Sequence, residues 1–234
     1  MPIKELPVYE CVINPAEGMI VDFVSIVETP AVATNNKKVF GDGNFLAFKK
    51  DEPVKEKMFF STDEKQIIFG IAMMAGDHIY RRDEETGKEF YVTFTKEMIY
   101  EIVTTFFQKS LNHNMNVDHT SKSAKSYIFQ SILVDEAMGI KAPEVFGEVS
   151  DGSWLICAKV NDPELWQEIK QGKKRGFSVE GMFQMIDRDV WVEVETDEKF
   201  NKVDIDITGW ALHDTQIKAS INQLEYYINK LKED

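Results

Sequence analysis

Short runs rich in Val, Ile and Phe recur along this chain, and only a few helix-period stretches interrupt them. That proportion constrains the fold most: many strands with few helices must bury sheets against one another or under those helices. Residues 8–13 and 18–27 read as strands, broken by Asn14-Pro15 and Gly18. Residues 66–75 (QIIFGIAMMA) are nearly continuously apolar, the pattern of a buried strand. Residues 88–94 alternate, with Phe90, Val92 and Phe94 on one face and Tyr91 and Thr93 on the other. Residues 127–135, 154–160, 175–185, 190–195 and 202–212 complete the set, with Asp187-Arg188-Asp189 as a charged turn. Three stretches have helical spacing. In 96–109, Met98, Ile99, Ile102, Val103, Phe106 and Phe107 line one face behind Thr95 as N-cap. Asp162-Pro163 starts a short helix that Gly172 closes. In 215–232, Ile217, Ile221, Leu224, Ile228 and Leu231 form a heptad-like stripe. The expected class is α+β: a mostly antiparallel sheet or barrel surrounded by a few helices, ending in a C-terminal helix.

The 234 residues suffice for one domain with a substantial core. Residues 1–27 read as its N-terminal strands, 58–212 as its body and 213–234 as the terminal helix. Between them, 28–57 carries Thr29-Pro30, Asn35-Asn36, Gly41-Asp42-Gly43 and Pro53, and reads as a mobile loop or linker whose aromatics Phe40, Phe45 and Phe48 could dock on this chain or another. The pairs Met73-Met74 and Phe106-Phe107 read as core.

Charge and cysteine usage narrow the function. With 27 basic and 40 acidic residues the net charge is −13, and the densest basic run is only Lys173, Lys174, Arg175. Such a chain repels phosphate backbones, so nucleic acid is not an expected partner. No stretch of about 18 apolar residues offers a membrane span, and MPIKELPVYE does not read as a secretory signal. Cys11 and Cys157 lie far apart, fitting free buried thiols rather than a zinc framework.

Two segments carry candidate chemistry. The first, N-H-N-M-N-V-D-H-T, lies in the polar, loop-like stretch 110–126 and holds His113, Asp118 and His119. A metal site would need all three to converge, yet neighbours on a strand point to opposite faces; no metal or other cofactor is expected. The second is Gly176-Phe177-Ser178-Val179-Glu180-Gly181. Strand alternation puts Ser178 and Glu180 on one face and Phe177 and Val179 on the other. A serine hydroxyl needs a neighbouring base to act as a nucleophile, and His119, or less readily His113, is the histidine in a suitable context. A satisfied structural serine and a surface histidine remain the plain alternatives.

The order GIAMMAGDHIYRRDEETGKEFYVTFTKEMIYEIVTTFFQKS, then NMNVDHT, then GSWLICAKVNDPELWQEIKQGKKRGFSVEG resembles the XkdF-like group of phage prohead serine proteases, over residues 66 to 184. These are similar in fold to herpesvirus assemblins. The stretch from Val24 to Ala31 (VSIVETPA) is similar to a VSLV-x-x-PA strand that follows the catalytic serine in other prohead proteases; here it precedes it, as a circular permutation would produce. The resemblance implies Ser178 as nucleophile and His119 as general base. It leaves the third member open: Asp22 is the first candidate and His113 the second, while Glu180 is a candidate substrate-binding residue. Where relatives often carry an acid in the strand after the histidine, this chain has Gln130-Ser131. The implied activity is cleavage of phage scaffold and major capsid precursor proteins, and of the chain itself. The implied location is the host cytoplasm, inside the assembling prohead, with a homodimer as a further option. A non-catalytic assembly protein on the same fold is the rival expectation.

Overall fold

A computed structural model describes residues 3–32, 34, 36–47, 65–83 and 85–195. In chain order its elements are β1 (Ile3–Val12), β2 (Val21–Val27), α1 (Lys37–Phe40), β3 (Phe45–Ala47), β4 (Ile67–Met73), β5 (Ile79–Arg82), β6 (Glu89–Thr93) and α2 (Lys96–Gln108). There follow β7 (Met115–Val117), β8 (Ser126–Leu133), β9 (Trp154–Val160), α3 (Pro163–Lys170), β10 (Gly176–Gly181) and β11 (Gln184–Glu195).

Among the described residues the strands form three sheets, ordered β11-β1-β6-β5, β10-β2-β7 and β3-β4-β9-β8. Most pairs are antiparallel; β1–β6 and β2–β7 are parallel. The α+β class holds, but these sheets do not close into a barrel. Closure needs one continuous staggered ladder, and here the ladder breaks where chains change sheet. β1 pairs with β11 in one sheet, and β2 with β10 in another, so a two-stranded ribbon passes from the first sheet to the second. The register shifts between Glu180 and Gly181, a bulge that bends the strand. A Cβ on Gly181 would stand 2.4 Å from the Ile20 carbonyl oxygen, so this bend tolerates only glycine.

α2 forms where its spacing predicts. The Thr95 hydroxyl accepts the Met98 N–H, and Ile99, Ile102, Val103 and Phe106 are buried. Phe107 is the exception to the expected core pair, at 37% exposed. β9 contributes Trp154, Leu155 and Ile156 to the core, and Phe106 packs edge-on to Trp154 at 5.5 Å. Met73 and Met74 are buried.

Three expectations change. The described part of 28–57 is folded onto the core: Phe45 starts β3, which pairs with β4, and Phe40 stacks on Phe146 at 5.1 Å. Turn residues set the local bends, but the apolar side chains between them decide where the segment goes. The stretch Asp187-Arg188-Asp189 is a bulge inside β11 rather than a turn between strands. Tyr9 pairs with Asp187 while Val8 pairs with Val190, and Arg188 Nε donates to Glu10 Oε2 at 2.7 Å. The polar segment 110–126 contains β7, whose three residues are all buried. The expected strand at 202–212 and the helix at 215–232 lie outside the described residues.

Candidate active site

β2 is the central strand of its three-stranded sheet, and Ser25 is at its middle. Ser25 pairs with Ser178 of β10 on one side and with Asn116 of β7 on the other. Directly paired residues project from the same face of a sheet. Ser178, Ser25 and Asn116 therefore form one polar row across an otherwise apolar sheet, and Glu180, two residues beyond Ser178, joins that face.

His119 reaches the row from a tight turn. β7 ends at Val117, and Thr120 N–H donates back to the Val117 carbonyl at 3.1 Å. The two residues between, Asp118 (φ 51°) and His119 (φ 54°), both lie in the left-handed region, the pattern of a type I′ turn. Asp and His tolerate that region better than most residues. Side chains pin the turn: Asp118 Oδ1 accepts the Glu28 N–H at 3.2 Å, and its Oδ2 pairs with the largely buried ammonium of Lys174. The Thr120 hydroxyl donates to the Val117 carbonyl at 2.7 Å.

The imidazole Nδ1 lies 3.0 Å from Ser25 Oγ and 3.3 Å from Glu180 Oε2. Asn116 Nδ2 donates to the same Glu180 oxygen at 2.8 Å, and the Ser25 hydroxyl donates to Asn116 Oδ1. Ser25 is fully buried, whereas Ser178 keeps 8% of its surface and the His119 side chain 15%. With Nδ1 engaged, the ring's remaining nitrogen, Nε2, is the one left to act on a substrate or on Ser178.

The sequence candidates fall out as follows. Ser178, His119 and Glu180 belong to one cluster, although the imidazole's serine contact is with Ser25 and not with Ser178. Glu180 is the carboxylate at the imidazole. Asp22 lies three residues before Ser25 in β2, at the register shift where Phe23 pairs with Glu180 and Val21 with Gly181; its backbone carbonyl accepts from Asn114 Nδ2 at 3.1 Å. His113 sits in a single 3-10 turn, and its ring stacks on Tyr127 at 5.4 Å. It shares no site with His119. Lys174, in the basic run before the serine strand, is committed to Asp118. Ser131, in the strand expected to carry an acid, accepts the Trp154 indole N–H at 2.8 Å. Among the described residues no three His, Cys, Asp or Glu side chains gather to hold a metal ion.

Ser25 and Asn116 are the members that sequence reasoning missed. The signal was one polar residue inside each apolar strand, Val24-Ser25-Ile26 and Met115-Asn116-Val117; a buried polar side chain needs a partner. Nothing in the spacing says that the partners are each other.

A family model described as "Putative phage serine protease XkdF" matches residues 55–187. That span contains Asn116, His119, Ser178 and Glu180, and leaves out β2 with Ser25. The chain matches no curated protein and no solved structure.

Proposed function

The chain belongs to this phage serine protease family, and from that premise we propose that it is an endopeptidase with Ser178 as nucleophile, His119 as general base and Glu180 as the acid that orients it. The observation that carries this reading is the Glu180 carboxylate at His119 Nδ1, on the sheet face that bears Ser178. Ser178 Oγ attacks the scissile carbonyl carbon while Nε2 takes its proton. The tetrahedral intermediate collapses to an acyl-enzyme as the imidazolium returns that proton to the leaving amine. Water then repeats the sequence in reverse and frees Ser178. Glu180 holds the ring orientation and stabilises the transient imidazolium, as the acid of any Ser-His-acid triad does. The substrates are the scaffold and major capsid precursor proteins of an immature phage prohead, and the chain itself. Cleavage takes place inside that particle in the host cell.

The test is co-expression of the chain with its phage's scaffold and capsid proteins, followed by intact-mass measurement of purified proheads. Wild type is expected to yield defined fragments that vanish in Ser178→Ala and His119→Ala. Identical masses from wild-type and variant proheads would overturn the assignment and leave an assembly protein without catalysis.

A further inference from the structure

We infer that Ser25 and Asn116 are positioning residues that hold His119 in the tautomer with its proton on Nδ1, and that Ser25 is not the nucleophile despite its contact with the imidazole. The protons available around one ring nitrogen fix its state. An ionised carboxylate can only accept hydrogen bonds, so Glu180 Oε2 must receive an N–H from Asn116 Nδ2. That orients the amide, and Oδ1 faces Ser25. Oδ1 is also only an acceptor, so the single hydroxyl proton of Ser25 goes to it. Ser25 Oγ therefore presents a lone pair, not a proton, to His119 Nδ1 at 3.0 Å. The other neighbour of Nδ1, Glu180 Oε2 at 3.3 Å, is an acceptor as well. With two acceptors facing it, Nδ1 must carry the proton. A neutral imidazole has only one, so Nε2 is left with its lone pair.

Burial points the same way. Ser25 is fully enclosed, between Ser178 on one strand and Asn116 on the other. An acyl group on its oxygen would have no space, and its proton is already given to Asn116. The network instead lets a second serine, in the adjacent strand and less completely enclosed, meet an imidazole whose basic nitrogen is fixed in advance. Asn116 is the hinge of the arrangement, because it satisfies Glu180 and Ser25 together. Without it the Ser25 hydroxyl is released to compete with the Glu180 carboxylate for Nδ1, which weakens the hold on the Nδ1–H tautomer and raises the share of rings with Nε2 protonated.

The tautomer is an assertion about the folded chain and stands apart from the reading of His119 as a catalyst; the kinetic consequence rests on that reading. Long-range proton–nitrogen NMR of the 15N-labelled full chain, at a pH where the ring is neutral, is expected to show His119 protonated on Nδ1. Asn116→Leu is expected to shift it toward Nε2–H. Protonation of Nε2 in the wild-type chain would overturn the inference and needs no variant to fold. Labelling with a fluorophosphonate, in which a serine oxygen displaces fluoride from phosphorus and gives up its proton, is expected to mark Ser178 in wild type and in Ser25→Ala. Ser25→Ala is expected to lower kcat about tenfold, the worth of one hydrogen bond to the ring, with little change in KM. A label on Ser25 would overturn the positioning role. If neither serine is labelled while Nδ1 is protonated, the peptidase reading fails and the tautomer lock stands.

Discussion

At the residue scale, His119 owes its place to a turn that no single interaction would hold. Two successive non-glycine residues at positive φ each cost of order 1 kcal/mol, and Asp118 and His119 are both such residues. The Lys174 ammonium and the Glu28 N–H on the Asp118 carboxylate offset that cost. Lys174→Met is therefore expected to lower stability by about 1 kcal/mol, since Asp118 is itself partly exposed to water. It should also lower kcat more than it raises KM, because the imidazole loses its aim before the sheet loses its fold. Denaturant midpoints and steady-state kinetics on the variant measure both effects; unchanged kcat would show that the turn holds without the ion pair. The cysteines make a separate case. Burial pushes the Cys11 thiol up to about 12, against a partial opposing pull from Arg81, and the Cys157 thiol up to about 11. Both stay protonated at neutral pH, and only a thiolate reacts. Iodoacetamide should modify neither in the native protein near pH 8 and both in denaturant, as peptide masses will report.

At the scale of the element, caps and close approaches explain why helices and strands stop where they do. α3 starts at Asp162, whose carboxylate accepts the N–H groups of Glu164 and Leu165 at 2.9 and 3.2 Å. The Leu165 N–H is the largest influence holding this carboxyl below the usual range; burial opposes it, and the Glu164 N–H and Lys125 add to the lowering. A carboxyl with a lowered folded value adds stability above its unfolded value, about 3.9, and loses it as the pH falls through the folded one. Asp162→Ala is expected to cost about 1 kcal/mol at neutral pH, and the gap to wild type should narrow on acidification to about pH 2. Urea midpoints at the two pH values decide it; a gap that stays constant would mean the cap acts without its charge. The serine strand has a comparable sensitivity at its start. A Cβ on Gly176 would stand 2.5 Å from Asn44 Oδ1 and 2.5 Å from Pro30 Cβ. Gly176→Ala should therefore displace β10 and cost activity as well as stability, and residual full activity would show that the approach is not tight.

At the scale of the whole molecule, one buried amide ties the sheet that carries the site to the sheet that carries much of the core. Asn44 is fully buried just ahead of β3; its Nδ2 donates to the carbonyls of Val32 and Phe177 at 2.9 and 3.0 Å, and its Oδ1 accepts the Phe177 N–H at 2.7 Å. Asn44→Ala would leave backbone groups beside Ser178 buried without partners, at about 1–3 kcal/mol each. It should lower the thermal midpoint and activity together, and an unaltered midpoint would mean that the β10 backbone is held by other contacts. Asn44 lies in a stretch that its turn-forming residues mark as a linker, which shows where sequence reading stops. Local pattern was enough for α2, α3, β9 and the alternation along β10, because helical spacing, caps and face assignment depend only on near neighbours. The motif around Ser178 and the histidine after α2 were legible for the same reason. The partners of that histidine were not. Ser25, Asn116 and Glu180 come from three strands, separated from one another by 64 to 155 positions as the numbering counts them, and which of them meet depends on strand order and register. The amino-acid sequence alone determined the class of fold, the strand that presents Ser178 and the candidacy of His119. Only the tertiary structure decided that the sheets stay separate and that Glu180 and Ser25 share the imidazole, because pairing register is set by burial across the whole molecule and not by any stretch of chain.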